Sequence, residues 1–170
     1  MAGDAIGIYG NAMGIPLQSS KYFTSLTLSS MLLGYVAGII CIPKYITQQI
    51  ALKISALLGI TLSIGIYFSH GYPAIIMIAL LGLANALMWP AIFPLAIAKL
   101  GRHTKTGAAL LIMGIAGGAI IPLVFGELKS IPGIGYKLAF FLCVMPAYLY
   151  ILFYSIKGHK AGQQKALTLS

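Results

Sequence analysis

Five stretches of the chain are nearly free of charge and long enough, or almost long enough, to cross a lipid bilayer. They cover residues 26–42, 54–69, 73–98, 107–126 and 138–156. A spanning helix needs about 20 mostly apolar residues, with a range of about 17 to 25. A sixth stretch, residues 1–17, is apolar but shorter, with Asp4 and Asn11 inside it. It reads as the back part of a helix whose front is missing. Residues 157–170, "KGHKAGQQKALTLS", are polar and read as a disordered tail, its lysines lying against anionic lipid headgroups. The pattern therefore predicts an all-α integral membrane chain, with residues 1–156 as one helical bundle and the first helix incomplete.

Composition excludes the alternatives to a membrane fold. The 170 residues are 59% hydrophobic and 8% charged, against about 25% charged in an ordinary soluble domain. The net charge of +9 does not indicate nucleic acid, because no basic helix or stripe carries it. Lysines and arginines sit in the short breaks between apolar runs, where membrane proteins keep their topology signals. Eight fall in the second and fourth breaks and the tail, and three in the other breaks. The positive-inside bias then places the even breaks and the C-terminus in the cytoplasm, in the cell (inner) membrane. Cys41 and Cys143 lie inside apolar runs, without metal spacing, and read as small hydrophobes. No basic n-region and continuous apolar core mark a cleavable signal peptide.

Small residues indicate where helices touch. Gly34 and Gly38 are one turn apart in the second run, and Gly114 and Gly118 in the fifth. Such pairs let helix backbones approach closely, although glycine is also simply common in membrane helices. Gly107, Gly117 and Gly126 with Pro122 make the fifth run one that packs tightly and can bend. Thr104 or Thr106 is placed to cap its start.

The fourth run in chain order, 73–98, carries the chemistry. Its midpoint falls at Asn85, and Trp89, the single tryptophan, lies one turn on. In a continuous helix the two share a face. Trp89 sits about 6 Å from the midpoint, whereas interfacial tryptophans sit roughly 15 Å out. Pro90 and Pro94 follow, each removing a backbone donor. Freed carbonyls at membrane depth are tolerated beside protein partners or a watery cavity. An indole beside an amide suits a sugar: the apolar ring face stacks and the amide bonds hydroxyls. The plainer alternative is that Asn85 bonds a neighbouring helix and Trp89 fills a gap in the core.

Asp4 is the one acidic residue within a span. Intramembrane carboxylates are costly and usually functional. Burial raises a carboxyl pKa, which suits Asp4 to proton uptake, and Asn11 shares its face. If residue 1 is a true start, Asp4 instead lies in water. Lys99, Arg102 and Lys105 set topology or latch an inner gate. His70 and His103 read as solvated loop residues. No catalytic set, metal cluster or phosphate loop is present in the sequence, so an enzyme is not expected and no cofactor or metal is called for.

Two segments bear a family resemblance. "LANALMWPAIFPLAIAKLGRHTKTGAALLIMGIAGGAIIPLVFG", Leu83–Gly126, resembles helices ten and eleven of the major facilitator superfamily, in the fucose permease and bacterial glucose/galactose transporter branch. "GDAIGIYGNAMGIPLQSSKYFTSLTLSSMLLGYVAGIICIPKYITQQIAL", Gly3–Leu52, is similar to helices seven and eight and the loop after them. The resemblance implies twelve helices in two six-helix halves with a monosaccharide bound between them. This chain is then the C-terminal half, truncated within helix seven, and its partner is the missing N-terminal half. It also implies that Trp89, beside Pro90, faces the sugar cavity. The superfamily's charged signature between helices eight and nine is degenerate, with Lys44 but no acidic partner. The proton-linked carboxylates of the fucose permease belong to the other half, so Asp4 does not inherit their role.

The sequence thus predicts part of a proton-coupled sugar symporter working by alternating access. Trp89, Asn85 and Asn11 are its substrate-binding residues, and Asp4 is a coupling or binding residue. Pro90, Pro94 and Pro122 are helix bends. A non-transporting membrane subunit or scaffold of a larger complex is the alternative.

Overall fold

The computed structural model describes residues 17–158 apart from Pro43 and Lys99, with the side chains of residues 17–21 left out. The predicted first segment, with Asp4 and Asn11, and the tail from residue 159 lie outside the described residues. All regular structure among the described residues is helical. The helices are α1 (Leu17–Cys41), α2 (Gln48–Phe68), α3 (Tyr72–Ala86), α4 (Met88–Ile97), α5 (Thr104–Met113), α6 (Gly117–Leu128) and α7 (Gly135–Ile156). Three-residue 3-10 turns lie at Gly101–His103 and Gly114–Ala116. The elements make five stretches long and apolar enough to cross a membrane, with α3–α4 acting as one and α5–α6 as another. The chain is a multi-pass membrane protein.

Helix ends reach further than the apolar runs. α2 starts at Gln48 instead of residue 54 because Thr47 caps it, its side chain accepting the Ile50 N–H at 3.4 Å. Its 21 residues rise about 32 Å, matching a hydrocarbon core of about 30 Å. At the other end Gly71 adopts φ +68°, a conformation glycine takes without steric cost. Pro73 is the second residue of α3, in the first turn where a missing donor costs nothing. The Lys137 ammonium donates to the Ser69 carbonyl at 2.9 Å, tying the start of α7 to the C-terminal end of α2. A cation there also complements the helix dipole.

The run expected as one helix over 73–98 is divided at Leu87. Pro90 has no N–H for the Ala86 carbonyl, so the ladder fails one turn before it. The next bond, from the Ala91 N–H to the Leu87 carbonyl, is stretched to 3.2 Å. Pro94 lies inside α4 and Pro122 inside α6. The 3-10 turn at Gly114–Ala116 falls in a glycine-rich stretch, where helix propensity is poorest apart from proline. Thr104 does not cap α5 as expected. Its hydroxyl donates to the Gly101 carbonyl at 2.7 Å, completing the preceding turn.

The core lies among α2, α3 and α7, with Leu52, Ile66, Ile75, Ile78, Leu81 and Phe140 buried there. Phe125 of α6 meets Phe140 edge-on, with centroids 6.1 Å apart. α1 lies along α3 through glycine. A Cβ added at Gly34 would come 2.7 Å from the Ala86 Cβ, and one at Gly82 would come 2.6 Å from the Thr27 carbonyl oxygen. Gly34 and Gly38 therefore do what their spacing predicts. Gly114 and Gly118 face nothing within 4 Å among the described residues. Gly82→Ala is accordingly expected to lower the thermal unfolding midpoint in detergent, at a cost of about 1–3 kcal/mol, because the opposing atom is backbone. Gly118→Ala should leave the midpoint of this chain unchanged or higher. Equal loss in both variants would contradict the assigned packing.

Candidate functional site

Asn85 stands in the last turn of α3, two residues before the break. It points toward α7, not along the exposed face. The Tyr148 hydroxyl donates to its Oδ1 at 2.8 Å. Tyr148 is 3% exposed and its ring lies against Gly59 of α2, where a Cβ would come 2.3 Å from Cε1. The contact thus joins three helices near mid-depth. It borders a cavity of about 150 Å³ lined by Asn85 and Tyr148 with Leu81, Met88, Ile121 and Val144 among others. Small-molecule sites usually hold roughly 300–1,000 Å³, so this cavity is smaller than a typical site.

Trp89 lies beyond the break, at the second position of α4. It is 41% exposed, and its ring is 5.7 Å from that of Phe93 at 43°. It is not among the residues lining the Asn85 cavity. Spacing alone put Asn85 and Trp89 on one face. Leu87 keeps right-handed helical geometry, and Leu81, Asn85 and Met88 line one cavity at helical spacing across it. Asn85 meets α7, while Trp89 is left partly exposed. Pro90 is exposed and borders a second cavity with Tyr35, Gly38 and Leu87, so α1 touches the break from its far side.

The basic group is open. Arg102, His103 and Lys105 are exposed, with the Arg102 Nε 3.3 Å from the His103 Nε2. Lys99 lies outside the described residues. No group of His, Cys, Asp and Glu suited to a metal is found among the described residues.

Tyr148 was missed by sequence reasoning, and one signal could have found it. It falls near the centre of the run 138–156, and a buried tyrosine at mid-depth needs a partner for its hydroxyl. Asn85, at mid-depth in another run, was the available acceptor.

Sugar transporters share this sequence. A glucose/galactose transporter of Brucella abortus is 38% identical over 118 residues, 69% of this chain and 28% of the relative. A putative glucose/galactose transporter of Helicobacter pylori is 28% identical over 150 residues, 87% of this chain and 37% of the relative. The L-fucose-proton symporter of Escherichia coli K12 is 28% identical over 115 residues, 68% of this chain and 26% of the relative. The chain is a homologue of this group, which bears out the resemblance to the fucose permease and glucose/galactose branch. It spans about a third of the length of the relatives it matches. The relatives are named as transporters, not as enzymes. No family profile matches the chain, and no solved structure matches it.

Proposed function

We propose that this chain is the C-terminal six-helix part of a monosaccharide transporter, of the glucose/galactose or fucose type and coupled to protons. The observation that carries the reading is the homology itself. It takes in 69% of this chain, or 87% with the longer match, but only 28% or 37% of the relative. Helix burial supports it. Only 11% of the spanning part of α1 and 6% of that of α5–α6 is buried, against 50% for α3–α4. In lipid an uncovered helix face is tolerated, but two such helices flanking one core suit a second half packed against them. Alternating access would then rock that half against this one around a midplane site.

Within this reading Trp89 stacks on the sugar, and Asn85, Asn11 and Asp4 bond its hydroxyls. Pro90, Pro94 and Pro122 shape the helices around the path. Lys99, Arg102 and Lys105 lie in a cytoplasmic loop, and the C-terminus is cytoplasmic in the inner membrane.

Proteoliposome uptake of radiolabelled glucose, galactose and fucose tests the proposal. The chain alone is expected to give no uptake, and the chain co-expressed with a complementary N-terminal half to give saturable, pH-gradient-driven uptake. Robust uptake by the chain alone would point to a homodimeric carrier instead. No uptake by the pair, with the chain co-purifying in an unrelated complex, would favour a non-transporting subunit.

A further inference from the structure

The contact between Tyr148 and Asn85 sets which side of the amide a ligand meets. A phenolic hydroxyl carries one proton and must donate it when buried. The other side chains lining the cavity are hydrocarbon or sulfur groups, so the Asn85 Oδ1, at 2.8 Å, is the strong acceptor in reach. The reverse arrangement, with the amide nitrogen donating to the phenol, would leave the phenolic proton facing hydrocarbon at a cost of several kcal/mol at membrane depth. The hydroxyl therefore fixes the carboxamide with its oxygen toward α7. Both hydrogens of Nδ2 then remain, and no acceptor for them is found among the described residues. Asn85 is half-buried and lines the cavity. An amide donor at this depth needs an acceptor that the described helices do not provide.

The ring that carries the hydroxyl is itself held. Gly59 leaves room for it and nothing more, since a Cβ there would lie within 2.6 Å of three ring atoms. Tyr148 is 3% exposed, so it cannot swing away. The same bond anchors the last turn of α3 directly before the break at Leu87, while Gly34 and Gly38 of α1 seat Ala86 and Leu87 from the other side.

We infer that Tyr148 is a positioning residue that locks Asn85 as a hydrogen-bond donor, so that the site selects a ligand presenting an oxygen acceptor at that point. This deepens, and rests on, the reading of Asn85 as a sugar-binding residue. It makes a definite statement about chemistry. The sugar oxygen facing Asn85 accepts and need not donate. Replacing that hydroxyl by fluorine keeps a weak acceptor and removes the donor, whereas a deoxy sugar loses both.

The test is competition of monodeoxy and deoxyfluoro hexoses against radiolabelled hexose uptake, in proteoliposomes holding this chain with its complementary half. In the parent, the fluoro analogue is expected to compete better than the deoxy analogue at one ring position, by about three- to tenfold. In Tyr148→Phe the amide is free to turn. The advantage of fluorine should vanish and the KM for hexose rise about three- to tenfold, with the maximal rate changed less. A role in stability alone would move the unfolding midpoint and expression and leave the fluoro-to-deoxy ratio intact. Asn85→Leu, with Tyr148 in place, should abolish the same ratio. If Tyr148→Phe does not reach the membrane, that variant decides. A parent that transports hexose but shows equal losses for fluoro and deoxy analogues at every position overturns the inference alone. So does a ratio that survives Tyr148→Phe or Asn85→Leu. A parent pair that takes up no hexose overturns the sugar reading, and this inference falls with it.

Discussion

Gly59→Ala should destabilise the helical bundle by about 2 kcal/mol or more, within the range seen when a packed core is overfilled. The added carbon would lie 2.3 Å from the Tyr148 Cε1 and 2.6 Å from Cδ1 and Cζ. Real carbon atoms do not approach so closely, so the ring or a helix must move. The ring is sealed in, and its hydroxyl is held by Asn85. Displacing α7 from α2 instead disturbs the core containing Leu52 and Phe140. The side chains also decide what rescues the variant. Tyr148→Phe does not, because the clash is with ring carbons and not with the hydroxyl. Tyr148→Leu does in part, because it removes the colliding atoms. A double-mutant cycle of thermal midpoints in detergent measures this coupling. Additive effects of Gly59→Ala and Tyr148→Leu would show that the two positions do not meet.

The second large effect is expected at Trp89. If its indole forms one wall of the sugar site, Trp89→Ala should weaken hexose uptake by the assembled transporter about tenfold or more. Aromatic contacts contribute about 0.5–1.5 kcal/mol beyond their buried area, and 1.4 kcal/mol corresponds to about a factor of ten. The side chain is 41% exposed, and its ring meets that of Phe93 one turn away. Its removal therefore opens no cavity in the core, and the unfolding midpoint should hardly move. Trp89→Phe should retain most of the affinity. Unchanged KM and rate in Trp89→Ala, at normal expression, would remove Trp89 from the site.

The spans were legible because hydrocarbon thickness sets run length, and this chain keeps its charges between the runs. Their ends were not. Polar residues such as Gln48, Gln49 and Lys53 are helical in α2, since a helix satisfies its own backbone whatever side chains it bears. Long cationic side chains can reach back to the headgroups. The division at Leu87 was half legible. Pro90 announced the interruption, but which neighbour each side chain meets was not in the spacing. Leu81, Asn85 and Met88 keep helical spacing along one cavity across Leu87, and α7 meets Asn85 while Trp89 is left 41% exposed. The glycine pairs show a similar limit. Gly34 and Gly38 found their partner in α3, whereas the surface that Gly114 and Gly118 fit is not supplied by the described helices. The hydroxyl of Tyr148 was hidden for a different reason. Its significance depends on α7 crossing α2 and α3, a pairing between residues 63 positions apart.

That separation has a consequence for synthesis. α2 and α3 are joined by a short turn and can pair as soon as both have left the ribosome, but α7 is made last of the described helices. Until it inserts, Asn85 faces lipid or a helper protein with its amide unpaired, and Gly59 exposes an unfilled notch. The core among the described residues is therefore closed by α7. Termination upstream of Tyr148 leaves a bundle with a polar defect at mid-bilayer, the kind of flaw by which membrane quality control recognises an unfinished chain.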